Sequence, residues 1–99
     1  MAEWIYFIHE PRVNFAETMT DEEAEAWGRH WELAKERFRE GRIVAMGPTL
    51  GPNNTGICIF EAPDEAAARE FMEADPAIAE GFARGELRPF RVSLLRGRG

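Results

Sequence analysis

Hydrophobic residues follow two different patterns along the chain. Four short runs rich in aromatic and β-branched residues are typical of β-strands, whereas two longer segments show the period of an amphipathic helix. The strands are predicted at residues 4–9, 42–46, 55–60 and 87–95. The helices are predicted at residues 21–40 and 63–72, and a short helical turn is predicted after the Asp75-Pro76 pair. The predicted order of elements is therefore βαββαβ.

Polar residues and glycines mark the ends of these elements. Thr20 and Glu23, three residues later, form the capping-box pattern of a helix start, and Gly41 stands where the first helix should end. Residues 47–54 are dense in Gly, Pro and Asn, so the second and third strands are predicted to form a hairpin with a long loop. Residues 11–19 are predicted to be a loop.

This order of elements predicts an α+β, ferredoxin-like fold, in which a four-stranded antiparallel sheet carries two helices on one face. A sheet with one wet face should alternate apolar and polar residues, yet the runs WIYFI, IVAM and ICIF are apolar at successive positions. Because two helices cannot cover both faces, a second copy is predicted to pack sheet to sheet, giving a homodimer. The 99 residues are predicted to form a single domain, residues 1–99.

Charge and cysteine content limit the kinds of partner that this protein is expected to bind and indicate its cellular compartment. The net charge of -6 argues against nucleic acid, because phosphate binding needs clustered Lys and Arg. The apolar runs are too short to span a membrane, and no secretory signal pattern is seen. Cys58 is the only cysteine, and its neighbours Ile57 and Ile59 predict a buried, inert thiol. A cytoplasmic protein is expected.

The first helix carries the residue that most invites a chemical interpretation, His30. On a helical wheel His30 lies about 70° from the centre of an apolar stripe that is predicted to face the core. This stripe comprises Ala24, Trp27, Trp31, Ala34 and Phe38. At that angle His30 is either a general acid or base at the edge of a cleft or a half-exposed surface histidine. Spacing alone favours the surface histidine.

Asp75 and His9 also allow two interpretations each. Asp75 precedes Pro76, so its carboxylate either caps the turn that follows or pairs with His30 and fixes the tautomer of the imidazole. His9 shares the side-chain parity of Ile5 and Phe7 at the end of the first strand. It is either a second polar group of a pocket or a solvated strand end, and the strand end is the preferred interpretation.

The sequence shows few features of a metal or cofactor site. His9, His30 and Asp75 could in principle share a metal, but the chain has no HxH, HxxxH or HExxH spacing, so no metal is predicted. The loop containing Gly47 and Pro48 lacks the glycine order of a nucleotide-binding loop. No cofactor is therefore expected.

Three segments together resemble the YCII-related (YciI-like) family of small dimeric α+β barrel proteins. They are HWELAKERFREGRIVAMGPT, CIFEAPDEAAAREFMEADPAIAEG and ELRPFRVSLL. In that family a histidine on a helix precedes a strand ending in GP, a helix ending in DP and a strand containing PF. The resemblance implies a ferredoxin-like fold dimerised through its sheet, with His30 and Asp75 as the proposed active pair. Dehydrochlorinase chemistry on ring substrates is ascribed to some members, and related barrels isomerise lactones or act on aromatic polyketides.

Two functions remain open from the sequence. The first is a small, cofactor-independent lyase or isomerase that eliminates from or isomerises a cyclic or aromatic molecule, with His30 moving a proton and Asp75 orienting it. The second is a non-catalytic module that binds a small molecule in the same cleft or acts as an accessory protein. In both cases the predicted pocket comprises Phe7, His9, Trp27, Trp31, Gly47 and Pro48.

Overall fold

The computed structural model describes residues 1–97, so Arg98 and Gly99 of the predicted domain lie outside the described residues. In chain order the elements are β1 (Ala2–His9), α1 (Phe15–Thr18), α2 (Asp21–Arg39), β2 (Ile43–Pro48), β3 (Thr55–Ala62), α3 (Glu65–Glu73), α4 (Pro76–Ala79) and β4 (Arg84–Phe90). The four strands, the two long helices and the short turn α4 were predicted. The four-residue helix α1 was not, because residues 11–19 were predicted to be a loop.

The four strands form one antiparallel sheet in the order β2-β3-β1-β4. Tyr6 in the central strand β1 lies opposite Cys58 in β3 and Leu87 in β4. One face of this sheet packs against the helices, and the core residues there are Trp4, Tyr6, Ile8, Ala34, Ile43, Cys58, Phe60, Ala62, Ala68, Phe71 and Met72. The predicted ferredoxin-like α+β architecture is therefore confirmed. Among residues 1–97, no helix combines the length and the apolar character needed to cross a membrane.

Both ends of α2 follow from the residues that mark them. The Glu23 amide donates to Thr20 Oγ1 at 3.1 Å, and the Thr20 amide donates to Glu23 Oε1 at 2.8 Å, which completes the predicted capping box. At the other end Gly41 adopts a φ of +79°, a left-handed conformation that is energetically unfavourable for residues with a side chain. The helix thus stops where the sequence indicated.

The predicted inward stripe of α2 is wrong in its rotation about the helix axis. The residues that α2 buries are Glu23, Ala26, Ala34 and Arg37, whereas Trp31 and Phe38 are 54% and 62% exposed. Ala24 is exposed as well. The prediction selected the apolar side chains, but the buried face includes polar ones that find partners inside the fold. His30 therefore lies at the middle of the inward face and not at its edge.

The last strand also differs from its prediction at residues 87–95. It ends at Phe90, which lies opposite Glu3, near the start of β1, and residues 91–95 are not in a strand. The strand begins three residues earlier than predicted, in a segment where Gly85 passes close to the helices. A Cβ at Gly85 would lie 2.9 Å from both Ile78 Cδ1 and Met72 Sδ. The close approach explains a glycine in this strand.

Candidate functional site

The structure brings His30 and Asp75 together from two helices. His30 lies midway along α2, and Asp75 is the residue that caps the N-terminus of α4. His30 Nδ1 and Asp75 Oδ2 are 2.7 Å apart, and the two side chains are only 11% and 3% exposed. The pair is therefore held at hydrogen-bond distance and shielded from solvent.

Asp75 makes both of the contacts that the sequence left open. Its Oδ1 accepts a hydrogen bond from the Ala77 amide at 3.0 Å, which is the helix cap. Its Oδ2 faces His30 and also accepts a hydrogen bond from the Tyr6 hydroxyl at 2.9 Å. Because both carboxylate oxygens have partners, the buried carboxylate is satisfied and its orientation towards His30 is fixed.

Tyr6 is a site residue that the sequence analysis missed. Burial, with smaller contributions from Cys58 and Asp75, raises the pKa of the Tyr6 hydroxyl, so this group stays protonated and serves as a donor. Tyr6 shares its parity in β1 with Trp4 and Ile8, which all face the helices. Parity would have identified Tyr6 if the sequence had revealed which face of the sheet the helices cover.

The contact with Asp75 defines which nitrogen of His30 is free. A carboxylate only accepts hydrogen bonds, so the proton of a neutral His30 must sit on Nδ1 and point at Asp75. The lone pair is then on Nε2, the nitrogen on the other side of the ring. An imidazole arranged in this way can take a proton from a bound molecule and return it.

His30 lines a cavity of about 280 Å³ between α2 and one end of the sheet. The other lining residues are Ile8, Glu10, Trp27, Trp31, Met46, Gly47, Pro48, Gly56 and Ile57. Most of them are apolar, and two are tryptophans whose flat rings suit contact with another ring. Four residues predicted for the pocket, Trp27, Trp31, Gly47 and Pro48, thus share this cavity with His30.

The unpredicted helix α1 supports one wall of the cavity. Phe15 in α1 is fully buried, and its ring lies 4.6 Å from the ring of Trp27, measured between centroids. Trp27 in turn lies 6.2 Å from the His30 ring. The position of the indole beside the histidine is therefore set by a packed aromatic contact from the segment that was predicted to be a loop.

Phe7 and His9 do not line the cavity that contains His30. They lie on the face of β1 that points away from the helices, because their parity is opposite to that of Tyr6 and Ile8. His9 Nε2 is 2.9 Å from Glu86 Oε1, and the His9 ring stacks near Phe7 with the centroids 6.2 Å apart. The structure does not bring these two residues to the cavity, and the prediction took the pocket residues of β1 from the face that the helices do not cover.

Cys58 matches the inert thiol that its neighbours indicated. It is fully buried in the core, and burial raises the pKa of its thiol to about 12. Within residues 1–97, no three His, Cys, Asp or Glu side chains come together in the way metal ligands would.

Comparison with known proteins identifies a family and a similar solved structure. The family model of the YCII-related domain matches residues 4–91. A solved structure, that of 5-chloro-2-hydroxyhydroquinone dehydrochlorinase (TftG) from Burkholderia phenoliruptrix AC1100 in complex with 2,5-dihydroxybenzoquinone, is similar with a TM-score of 0.63 and 18% identity. The match covers 89% of this chain and 93% of that one. At this identity the likeness shows a shared fold. No curated protein sequence matches the chain.

Proposed function

The chain belongs to the YCII-related domain family, and from that premise we propose that it is a small enzyme in which His30 moves a proton on a ring-shaped molecule. The observation that carries this proposal is the buried contact of 2.7 Å between His30 and Asp75 beside an apolar cavity. Asp75 orients the imidazole, and His30 Nε2 is the nitrogen that meets the substrate. The proposed reaction class is elimination or isomerisation.

Both reactions can be written with the residues that line the cavity. In an elimination, Nε2 takes a proton from the ring, and the leaving group departs with its bonding electrons. In an isomerisation, the imidazolium returns the proton at a second position of the ring. The positive charge that develops on the imidazole lies next to the Asp75 carboxylate in both cases, which stabilises it.

The size and the lining of the cavity support a small cyclic or aromatic substrate. Ligand pockets for drug-sized molecules span about 300–1,000 Å³, so a cavity of about 280 Å³ suits a single ring with a few substituents. Trp27 and Trp31 offer it flat apolar surfaces. The similar fold of a dehydrochlorinase solved with a benzoquinone provides matching test compounds.

The test compares two histidines of the same chain. Chloride release from 5-chloro-2-hydroxyhydroquinone and isomer formation from related hydroxyquinones are measured for the wild type and for His30→Gln, Asp75→Asn and His9→Gln. We expect His30→Gln to lower kcat by about 10²–10⁴-fold, the range found for lost acid–base catalysis, and Asp75→Asn to lower it by less. His9→Gln, on the other face of the sheet, should change little. Equal rates for His30→Gln and His9→Gln would refute the proposal.

A second candidate is a non-catalytic module that binds the same class of molecule. The observation in its favour is that none of the ten residues lining the cavity carries a nucleophilic hydroxyl or thiol. In this case His30 and Asp75 would only hydrogen-bond the ligand. Binding of 2,5-dihydroxybenzoquinone by the wild type, with no turnover of any ring compound offered, would favour the module over the enzyme.

We also propose that the protein is a homodimer that works in the cytoplasm. The face of the sheet opposite the helices carries the half-buried Phe7, Ile57 and Ile59 beside the buried Ile5, an apolar set that a second copy would cover further. The family resemblance supports the same sheet-to-sheet arrangement. The buried Cys58 thiol suits a reducing compartment.

A further inference from the structure

The cavity contains a second ionisable residue besides His30. Of the ten residues that line it, only His30 and Glu10 carry side chains that gain or lose a proton in ordinary conditions. Glu10 follows directly after β1 and has the parity of Ile8, the strand residue that also lines the cavity. The two ionisable groups therefore come from different elements, one from the sheet and one from α2.

Glu10 has no cationic partner among the described residues. Its neighbour Arg12 is engaged elsewhere, because that guanidinium donates to the Glu23 carboxylate at 2.9 and 2.7 Å. His9, the adjacent residue in sequence, pairs with Glu86 on the other face of the sheet. No ion pair within residues 1–97 includes Glu10. A half-buried carboxyl group without an ion-pair partner is available to a ligand.

The surroundings of Glu10 leave its carboxylate able to accept a further hydrogen bond. Partial burial raises the pKa of Glu10, and the backbone amide of Asn54 opposes this effect. A carboxylate with one backbone donor keeps lone pairs that can accept a hydrogen bond from a hydroxyl group of a ligand. Most other lining residues are apolar, so the cavity has few side chains that could match polar groups of a ring.

We infer that Glu10 is a specificity-determining residue that selects a single ring bearing two hydroxyl groups, one donating to Glu10 and the other to His30 Nε2. The inference rests on the proposed function and names the substrate class for the same cavity. A ring with one polar group would leave either Glu10 or His30 without a partner, and unpaired polar groups in a closed site weaken binding. The second polar group of the ligand therefore decides which rings bind well.

Simple phenols test this inference, since they differ only in the number and position of hydroxyl groups. Dissociation constants of phenol, catechol, resorcinol and hydroquinone are measured by NMR titration for the wild type, Glu10→Leu, Glu10→Gln and Glu17→Leu. We expect the wild type to bind its best dihydroxybenzene about tenfold more tightly than phenol, the effect of one good hydrogen bond. Glu10→Leu should lower this ratio to about one and leave phenol binding intact.

Two variants separate a role in selectivity from a general loss of structure. Glu10→Gln keeps a hydrogen-bonding group of the same shape and should retain part of the preference. Glu17→Leu removes the same charge from an exposed position in α1 and should behave like the wild type. If Glu10→Leu retains the full preference for dihydroxybenzenes, the inference is wrong while the proposed function stands. If none of the four compounds binds the wild type near Trp27 and Trp31, both are wrong.

Discussion

At the scale of single residues, three polar side chains among residues 1–97 of this protein are buried. Glu23, Arg37 and Asp75 are each less than a tenth exposed. Glu23 receives two hydrogen bonds from Arg12, and Asp75 receives hydrogen bonds from three residues. The Arg37 guanidinium lies 3.7 Å from the centroid of the Phe71 ring. Because each group has a partner, polar side chains can occupy the inward face of α2.

The Arg12–Glu23 pair makes stability depend on acidic pH. Hydrogen bonds from Arg12, and then from the Thr20 amide, lower the pKa of Glu23 to about 2 in the folded protein. In the unfolded chain a glutamate titrates near about 4.3, so the pair stabilises the fold above that value and loses its effect as the pH falls towards about 2. We expect Glu23→Gln to lower the melting temperature near neutral pH.

Thermal unfolding between about pH 7 and about pH 2 checks this expectation. The difference in melting temperature between the wild type and Glu23→Gln should shrink as the pH falls below about 4.3. Glu22→Gln, an exposed neighbour in the same helical turn, is the control and should differ little from the wild type. A difference for Glu23→Gln that stays constant over the whole range would contradict the assignment.

The sequence predicted part of the site and missed the rest for a reason of geometry. His30 and Asp75 became candidates because a histidine on a helix and an Asp-Pro pair are visible as patterns, but spacing alone favoured a surface histidine, and the family resemblance implied the pair. Tyr6 and Glu10 were not found, since their roles depend on which face of β1 the helices cover. Strand periodicity shows that two faces exist, but packing decides which of them contacts α2.

At the scale of elements, the rotation of α2 about its axis is the feature that most affects function. Apolar spacing placed Trp31 and Phe38 inward, whereas the structure turns His30 inward and leaves Trp31 at the cavity wall. Hydrophobic periodicity is a guide to burial only where the buried face is apolar. Here the inward face includes charged residues with partners that lie far away in the sequence.

Substitution of alanine for either of two glycines in the α2 region should change the stability of the protein, in opposite directions. Gly28 lies within α2, and a Cβ there would meet nothing within 4 Å. Gly28→Ala should therefore raise the free energy of unfolding by about 0.5–1 kcal/mol, the usual cost of glycine in a helix. Gly41 has a φ of +79°, so Gly41→Ala should lower this free energy by about 1 kcal/mol.

Urea unfolding of both variants measures the two effects under the same conditions. Loss of stability in Gly28→Ala would show that this position contacts a neighbour absent from the single chain. The ends of α2 were predictable because capping is local chemistry, with Thr20, Glu23 and Gly41 close together in sequence. The bounds of β4 were not, because they depend on the register with β1, which lies about 80 residues away in the sequence.

At the scale of the whole molecule, one face of the sheet is covered by no helix among residues 1–97. Ile5 and Phe7 in β1 lie opposite Ile59 and Ile57 in β3 on that face. The overall fold was predictable from the order of elements and from apolar residues on both parities of the strands. The same order of elements also predicts that both long helices pack on one face of the sheet, which leaves the other face without a helix.

A charge placed on the open face should prevent the proposed dimer from forming. Sedimentation velocity is expected to give a dimer for the wild type and a monomer for Phe7→Asp, because an unpaired carboxylate would be buried between the sheets. Phe38→Asp, on the exposed side of α2, is the matched control and should remain dimeric. A wild type that sediments as a monomer at every concentration would contradict the proposal.

The most direct test of the account is the tautomer of His30, since the proposed chemistry requires a free lone pair on Nε2. Histidine side chains labelled with ¹⁵N are observed by long-range ¹H–¹⁵N NMR at a pH where the imidazole is neutral, in the wild type and in Asp75→Asn. The account predicts that His30 carries its proton on Nδ1 in the wild type and that Asp75→Asn reduces this population, while His9 does not change. A proton on Nε2 in the wild type, or a tautomer that ignores the substitution, would contradict it.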